Sequence, residues 1–228
     1  MRSHTTRLLL FIFACLAASS CKNSTGSLAT GDLIPLKAGN QWIYQIQYTD
    51  NKGSLSNGAL DTSKVGLSIS FQGNEWSFFN FPNSTDILLF VNKIGGLWNL
   101  DLASEKSHLK FAFPGSVGEE YILSTTSEEL IRRDSLGIEI SDSLFTITKA
   151  KIISVSELVQ CGSGTFTCYH YQVRDSLFDP FFIASAAAPT DFYISPNVGV
   201  IKIVVPSVRD NFNNIINTTY LLKEYRLK

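Results

Sequence analysis

The chain has 228 residues with 19 basic and 20 acidic side chains, and setting aside the two arginines of its first twenty residues leaves a formal charge of −3. Such a balance gives no electrostatic pull toward phosphate backbones or anionic headgroups, and it excludes nucleic acid as a partner. Apolar residues make up 44% and aromatics 12%, enough to fill one core, and β sandwiches and barrels of this size commonly form one domain.

At the start of the chain, Arg2 and Arg7 precede an apolar run from Leu8 to Ala18, and the small residues Ser19 and Ser20 come next. The run covers eleven residues, whereas a helix needs about 20 to span a bilayer, so residues 1–20 read as an export signal rather than a permanent span. The stretch LAASSC resembles a bacterial lipobox, which implies that Cys21 carries lipid and becomes the mature N-terminus. Ala18 stands where that pattern prefers Leu, which leaves an ordinary cut near Ser19 or Ser20 as the alternative. Cysteine arithmetic bears on the choice. Cys15 leaves with the signal, and Cys21, Cys161 and Cys168 remain; in an oxidising compartment an odd count leaves one thiol to explain. If Cys21 is acylated, Cys161 and Cys168 can pair with each other across Gly162–Thr165, stapling a tight hairpin; the other reading is two unpaired buried thiols. Several acyl chains on one residue make a lasting anchor. Lys22, with no acidic run behind it, fits retention on the periplasmic face of the outer membrane by analogy with sorting signals.

Residues 21–32 are rich in Ser, Thr, Gly and Asn and have no apolar period, so they form a flexible tether ahead of a single domain over 33–228. From Gln41 onward the period is two. Trp42, Tyr44, Ile46 and Tyr48 share one face of a first strand, and Val65, Leu67, Ile69 and Phe71 one face of a second. Further strands are predicted at 75–81, 87–91, 97–102, 109–113, 137–140, 145–155, 166–173, 192–194, 198–205 and 220–227, separated by Gly, Asn, Asp, Ser and Pro. The stretches 76–81 and 87–91 are apolar on both faces and belong in the middle of a sheet or under cover on both sides. Thr125 and Thr126 ahead of Glu128 and Glu129 have capping-box spacing, so a short helix ending near Arg133 is expected. The fold class is mainly β: an antiparallel, strongly curved sheet forming a half-barrel, barrel or sandwich, with at most one or two short helices.

Pro35 and Gly39 precede the strand that begins at Trp42, and Pro114 and Gly118 stand at similar offsets before Tyr121 and Ile122. This is either one turn type used twice, with glycine supplying a positive φ, or an internal duplication. The segment LIPLKAGNQWIYQI (Leu33–Ile46), the strand GSGTFTCYHYQV (Gly162–Val173) and the hairpin FYISPNVGVIKI (Phe192–Ile203) together resemble a group of Bacteroidetes-type periplasmic lipoproteins of unassigned function. Their pattern is PLxxGNxWxY, then GTF, then GVGxVK. The resemblance implies a curved antiparallel sheet distantly similar to lipoprotein-carrier folds, and it carries over no catalytic residue. Asn197 stands where that pattern has Gly.

No enzyme chemistry is legible. His108 and His170 lie in alternating strands without a second ligand at metal spacing, and neither HExxH nor paired CxxC occurs, so no metal and no cofactor is expected. No GxSxG elbow is present, and the adjacent acids Glu119–Glu120 point to opposite faces of a strand. Binding remains. Trp76, Phe78, Phe90, Trp98, Phe111 and Phe113 are candidates to line an apolar cavity for a lipid or acyl chain, with an ordinary core as the plain alternative. A third reading is an envelope module that recognises another protein or a glycan.

Overall fold

The computed structural model describes residues 31–82, 84, 86–133, 139–179, 182–207 and 215–228. The signal, Cys21 and all but the last two residues of the tether, together with Gly137, lie outside them. Every regular element among the described residues is an antiparallel strand: β1 Gln41–Asp50, β2 Leu55–Phe71, β3 Asn74–Phe79, β4 Leu88–Lys93, β5 Gly96–Asp101, β6 Lys106–Ala112, β7 Glu120–Arg133, β8 Glu139–Cys161, β9 Gly164–Asp179, β10 Phe182–Ala186, β11 Thr190–Ser195, β12 Gly199–Pro206 and β13 Ile215–Arg226. They form one sheet in the order β6-β5-β4-β3-β2-β1-β13-β12-β11-β9-β8-β7, with β10 paired to β9. The sheet curls into a nearly closed barrel whose two ends, β6 and β7, do not join by a backbone ladder.

The alternation at the start of β1 decides its place. Trp42 and Tyr44 are fully buried, and the strand is paired on both sides, with β2 and with β13. β2 then serves both halves of the molecule. Leu55–Lys64 pairs with β1 and Val65–Phe71 with β3. The five-stranded half from β2 to β6 curls over its outer face, because the β2–β3 turn reaches the β5–β6 turn, where Gln72 Nε2 donates to the Glu105 carbonyl at 3.4 Å. Trp76, Leu89 and Leu100 form a small second core inside that curl, with Ile69, Phe71, Phe78, Val91 and Trp98 packed on it. β3 is therefore covered on both faces, as its apolar sequence predicts, with Trp76 on one and Phe79 on the other.

The turn that occurs twice in the sequence has the same hydrogen bonding in both places. Gly39 and Gly118 have φ of 88° and 86°. Asn40 N–H donates to the Lys37 carbonyl at 3.0 Å, and Glu119 N–H donates to that of Ser116 at 3.1 Å. Each glycine N–H then donates to a strand carbonyl, Val65 in one case and Ile152 in the other. That strand residue returns a bond to the carbonyl after the glycine, 2.9 Å in both.

The segment ahead of β1 closes one end of the barrel. Leu33 and Ile34 are buried, Asn92 Nδ2 donates to the Ile34 carbonyl at 2.8 Å, and Ser77 Oγ donates to that of Leu36 at 3.0 Å. The β11–β12 turn holds the same segment from the other side: Asn197 N–H donates to the Asp32 carbonyl at 2.7 Å. Asn197 has a φ of 62°, a conformation that asparagine tolerates better than other non-glycine residues, so asparagine in place of the pattern's glycine leaves the turn intact. Trp42 Nε1 donates to the Val198 carbonyl at 2.7 Å, and Gly199 passes so close that an added Cβ would lie 3.0 Å from the indole. The first and last motifs of the sequence thus form one packed unit.

One expected element is corrected. Thr125–Arg133 is no helix; it belongs to β7, which pairs with β8 from Glu120↔Lys151 to Arg133↔Glu139 with one register shift, between Ile122 and Ser124, ahead of this stretch. The stretch offers no apolar stripe at helical spacing, and its two β-branched threonines suit a pleated edge.

Candidate functional site

The six aromatics proposed as one cavity lining fall into two sets. In the β3–β4 ladder Phe90 stands opposite Ser77 and Phe78 opposite Leu89, so strand alternation sends Phe90 to the barrel interior while Trp76 and Phe78 face the outer curl. Phe111 joins Phe90 inside, Phe113 packs at 5.2 Å on Tyr169, and Trp98 joins the outer cluster. Inside, among the described residues, these rings pack against one another. Phe81 lies 5.0 Å from Phe79, 5.4 Å from Phe90 and 6.0 Å from Phe192, and Phe111 lies 4.8 Å from Tyr171. These three Phe81 pairs are edge-to-face, an arrangement that contributes about 0.5–1.5 kcal/mol per pair beyond burial. The Tyr171 hydroxyl donates to the Ala112 carbonyl at 2.7 Å, and burial pushes its phenol well above the ordinary range. Outside, Trp76 Nε1 donates to the Phe71 carbonyl at 3.1 Å, and the Lys93 ammonium caps the cluster at 4.5 Å from Trp76 and 5.5 Å from Trp98.

Accessible space lies at the seam between β6 and β7. At its closed end a side chain takes the place of a ladder: the Tyr121 hydroxyl accepts from Ala112 N–H at 2.9 Å and donates to the Lys110 carbonyl at 3.4 Å. Burial raises this phenol to about 12. Beyond it the strands part around a cleft of about 460 Å³, lined by Asn99, Asp101, His108, Leu109 and Lys110 on one side and by Leu123–Thr126 with Thr148 on the other. Burial lowers the Lys110 ammonium, and the Asp175 carboxylate opposes that shift. Asp175 itself accepts from Thr148 Oγ1 at 2.7 Å. Asp101 is held below the usual carboxylate range by Ser104 and Ala103 of its own turn. The cleft therefore presents hydroxyls, an amide, an imidazole, the Asp101 carboxylate and one desolvated ammonium along two sheet edges that lack a mutual ladder.

A second polar cluster surrounds His170, a residue that reads from sequence as a lone strand histidine. Its Nδ1 lies 2.9 Å from Glu157 on β8 and its Nε2 2.9 Å from Asp191 on β11. The ring stacks on Tyr193 at 4.3 Å, and the Lys202 ammonium sits 4.9 Å from the centroid of the Tyr193 ring. Burial lowers the imidazole, but the bonds and charges of Asp191 and Glu157 outweigh it, and the net shift is upward. The partners lie 13 and 21 residues away, so only the register of β8, β9 and β11 reveals them. Beside the cluster, a cleft of about 350 Å³ separates the β8–β9 hairpin from the outer face of β12 and β13.

The expected Cys161–Cys168 bridge is absent, and both cysteines are free thiols. The reason is register. Cys161 stands opposite Gly164, whereas Cys168 stands opposite Glu157, with the Val159↔Phe166 pair between them. Four residues of strand separate the two levels, about 13 Å, while a disulfide needs Cα atoms within about 7 Å. Burial raises the Cys168 thiol to about 12, so it is unreactive where it stands. Among the described residues, no group of three or more His, Cys, Asp and Glu side chains is arranged to hold a metal ion.

No family model matches the chain, and no curated protein matches it. Two solved structures resemble it in fold. One, from Parabacteroides distasonis ATCC 8503 and described as a lipoprotein, is 14% identical with a TM-score of 0.47; the match covers 87% of this chain and all of that one. The other, from Bacteroides fragilis NCTC 9343 and described as an exported protein with a YmcC-like fold, is 10% identical with a TM-score of 0.43 and the same coverage.

Proposed function

We propose that this chain is an envelope lipoprotein, acylated at Cys21 and held on the periplasmic face of the outer membrane, whose barrel is a non-catalytic recognition module that works through its external clefts. The observation that carries the reading is the aromatic packing inside the barrel: Phe79, Phe81, Phe90, Phe111, Phe192 and Tyr171 pack against one another where a lipid carrier would present an open apolar site. The seam offers a ligand two strand edges and a polar floor, the geometry used when an extended segment of an envelope protein adds to a sheet. A non-catalytic role is supported by His170, whose two nitrogens are both engaged by carboxylates, leaving none to act as a general base.

Contact with an acyl chain is a second reading, favoured by one observation. A cleft of about 400 Å³ at the end of β4 and β5 is lined by Phe78, Leu88, Leu89, Leu100, Leu102 and Ile87, and Ile87 is 68% exposed. Intact-mass spectrometry of the protein purified in detergent from its native membrane separates the two. Acyl mass on an N-terminal Cys21 without stoichiometric lipid is the expected result. One bound lipid per chain would move the second reading ahead, and an unmodified N-terminus would overturn the anchor.

A further inference from the structure

The β8–β9 hairpin leaves the barrel wall and folds back over it. Gly162 N–H donates to the Leu222 carbonyl at 3.2 Å, Ser163 Oγ donates to that of Lys223 at 2.8 Å, and Phe166 meets Tyr225 edge-on at 6.0 Å. At the root of the hairpin β8 loses regular pairing twice, between Ile152 and Ser154 and again between Ser154 and Glu157. Bulges of this kind bend a strand and interrupt its ladder, so residues 153–156 form a hinge. His170 lies opposite that hinge, since its backbone partner is Ser154. Its ring spans the irregularity, joining Glu157 beyond the hinge to Asp191 on the fixed wall.

We propose that the β8–β9 hairpin is a pH-dependent latch over the outer face of β12 and β13, closed by protonated His170 and released when that imidazole becomes neutral. The imidazolium donates from both nitrogens, one to each carboxylate. A neutral ring has one N–H and keeps only one of the two bonds. Its other nitrogen then faces a carboxylate as acceptor against acceptor, and the charge that held Glu157 and Asp191 near each other is gone. The groups facing the ring are Glu157 from β8, Cys168 from β9, Asp191 and Tyr193 from β11, and Lys202 from β12 beyond Tyr193. Burial raises Cys168 and Tyr193 to about 12, which leaves the imidazole as the group that changes charge in the neutral range. Release widens the cleft in which Glu157 and Gln160 face Lys202, Thr219 and Gln47.

Gly162 N–H, bonded to Leu222 only while the hairpin is down, is a direct reporter. Amide hydrogen exchange is measured on the full mature protein in detergent, with correction for the intrinsic effect of pH. Protection at Gly162 is expected to fall by about tenfold or more between about pH 5.5 and about pH 8.5, while that of β1 stays level. In His170→Gln and in Asp191→Asn the fall at Gly162 is expected to disappear, and the two variants guard against one of them failing to fold. Equal corrected protection at both pH values in the natural protein, or an undiminished fall in either variant, would overturn the latch.

Discussion

β1 and β7 enter the sheet through the same turn and end in opposite positions. Each comes after a Pro-x3-Gly loop clamped by the same pair of backbone bonds. β1 goes on to pair with two neighbours, whereas β7 pairs with β8 alone and leaves its other edge to the seam. The difference lies in the side chains beyond the loop. Trp42 and Tyr44 bury fully and dock under the β11–β12 turn. At the equivalent offsets of β7 Tyr121 is half-buried and Leu123 buried, but Ile122 between them is 58% exposed and Ser124–Glu129 are all exposed hydrophilic residues. A shared device aims the chain, and side-chain chemistry decides whether the strand is enclosed.

The largest effect expected from this contrast is on β1. Trp42→Ala removes a fully buried indole and orphans the Val198 carbonyl, and should cost about 3–5 kcal/mol in urea denaturation. Ile122→Ala, beside Tyr121, the residue of β7 that stands at the offset of Trp42, should change stability by less than about 0.5 kcal/mol, as an exposed substitution; comparable losses would break the comparison. Next come the two glycines. Gly39→Ala and Gly118→Ala both force a side chain into the left-handed region, at φ of 88° and 86°, and should each cost about 1–2 kcal/mol. The first should lower the whole unfolding transition and the second should loosen exchange near the seam. A smaller loss than at the glycines is expected at the closing bond. Tyr121→Phe removes the group that accepts from Ala112 N–H, a change of about 1 kcal/mol, and should be visible mainly as faster exchange of that amide.

The pH dependence of stability has a definite sign. Because the folded state raises the His170 imidazole, it binds a proton more tightly than the unfolded chain does. The stabilisation is therefore full below the ordinary imidazole value of about 6.5 and is lost as pH rises through the higher folded value. Denaturation midpoints should fall over that range in the natural protein and stay flatter in His170→Gln.

Much of the frame is legible in the sequence. Strict alternation marks β1, two-faced apolar runs place β3 and β4 centrally, and the opening and closing motifs do meet, at Trp42 and Val198. The misreadings have physical causes. The first half of β2, with Ser56, Asn57, Gly58 and Asp61, carries no apolar face because its ladder to β1 holds it. β7 mimics a helix start, since capping-box spacing counts residues and says nothing of a partner strand. Parity misleads the cavity assignment: Trp76 and Phe90 look like one lining until the register places them on opposite faces. The His170 cluster needs three strands to align before it exists.

Residue-level amide exchange on β1 and β7 of the natural protein tests the central claim most directly, because it reads which edges of the barrel are closed. Amides of Trp42–Tyr48 should reach the protection of global unfolding, while the outward-facing half of those in Ile122–Ser127 should exchange almost freely. Protection of both halves of β7 equal to that of β1 would mean that the seam is joined by a ladder, and the cleft at its mouth would lose its role.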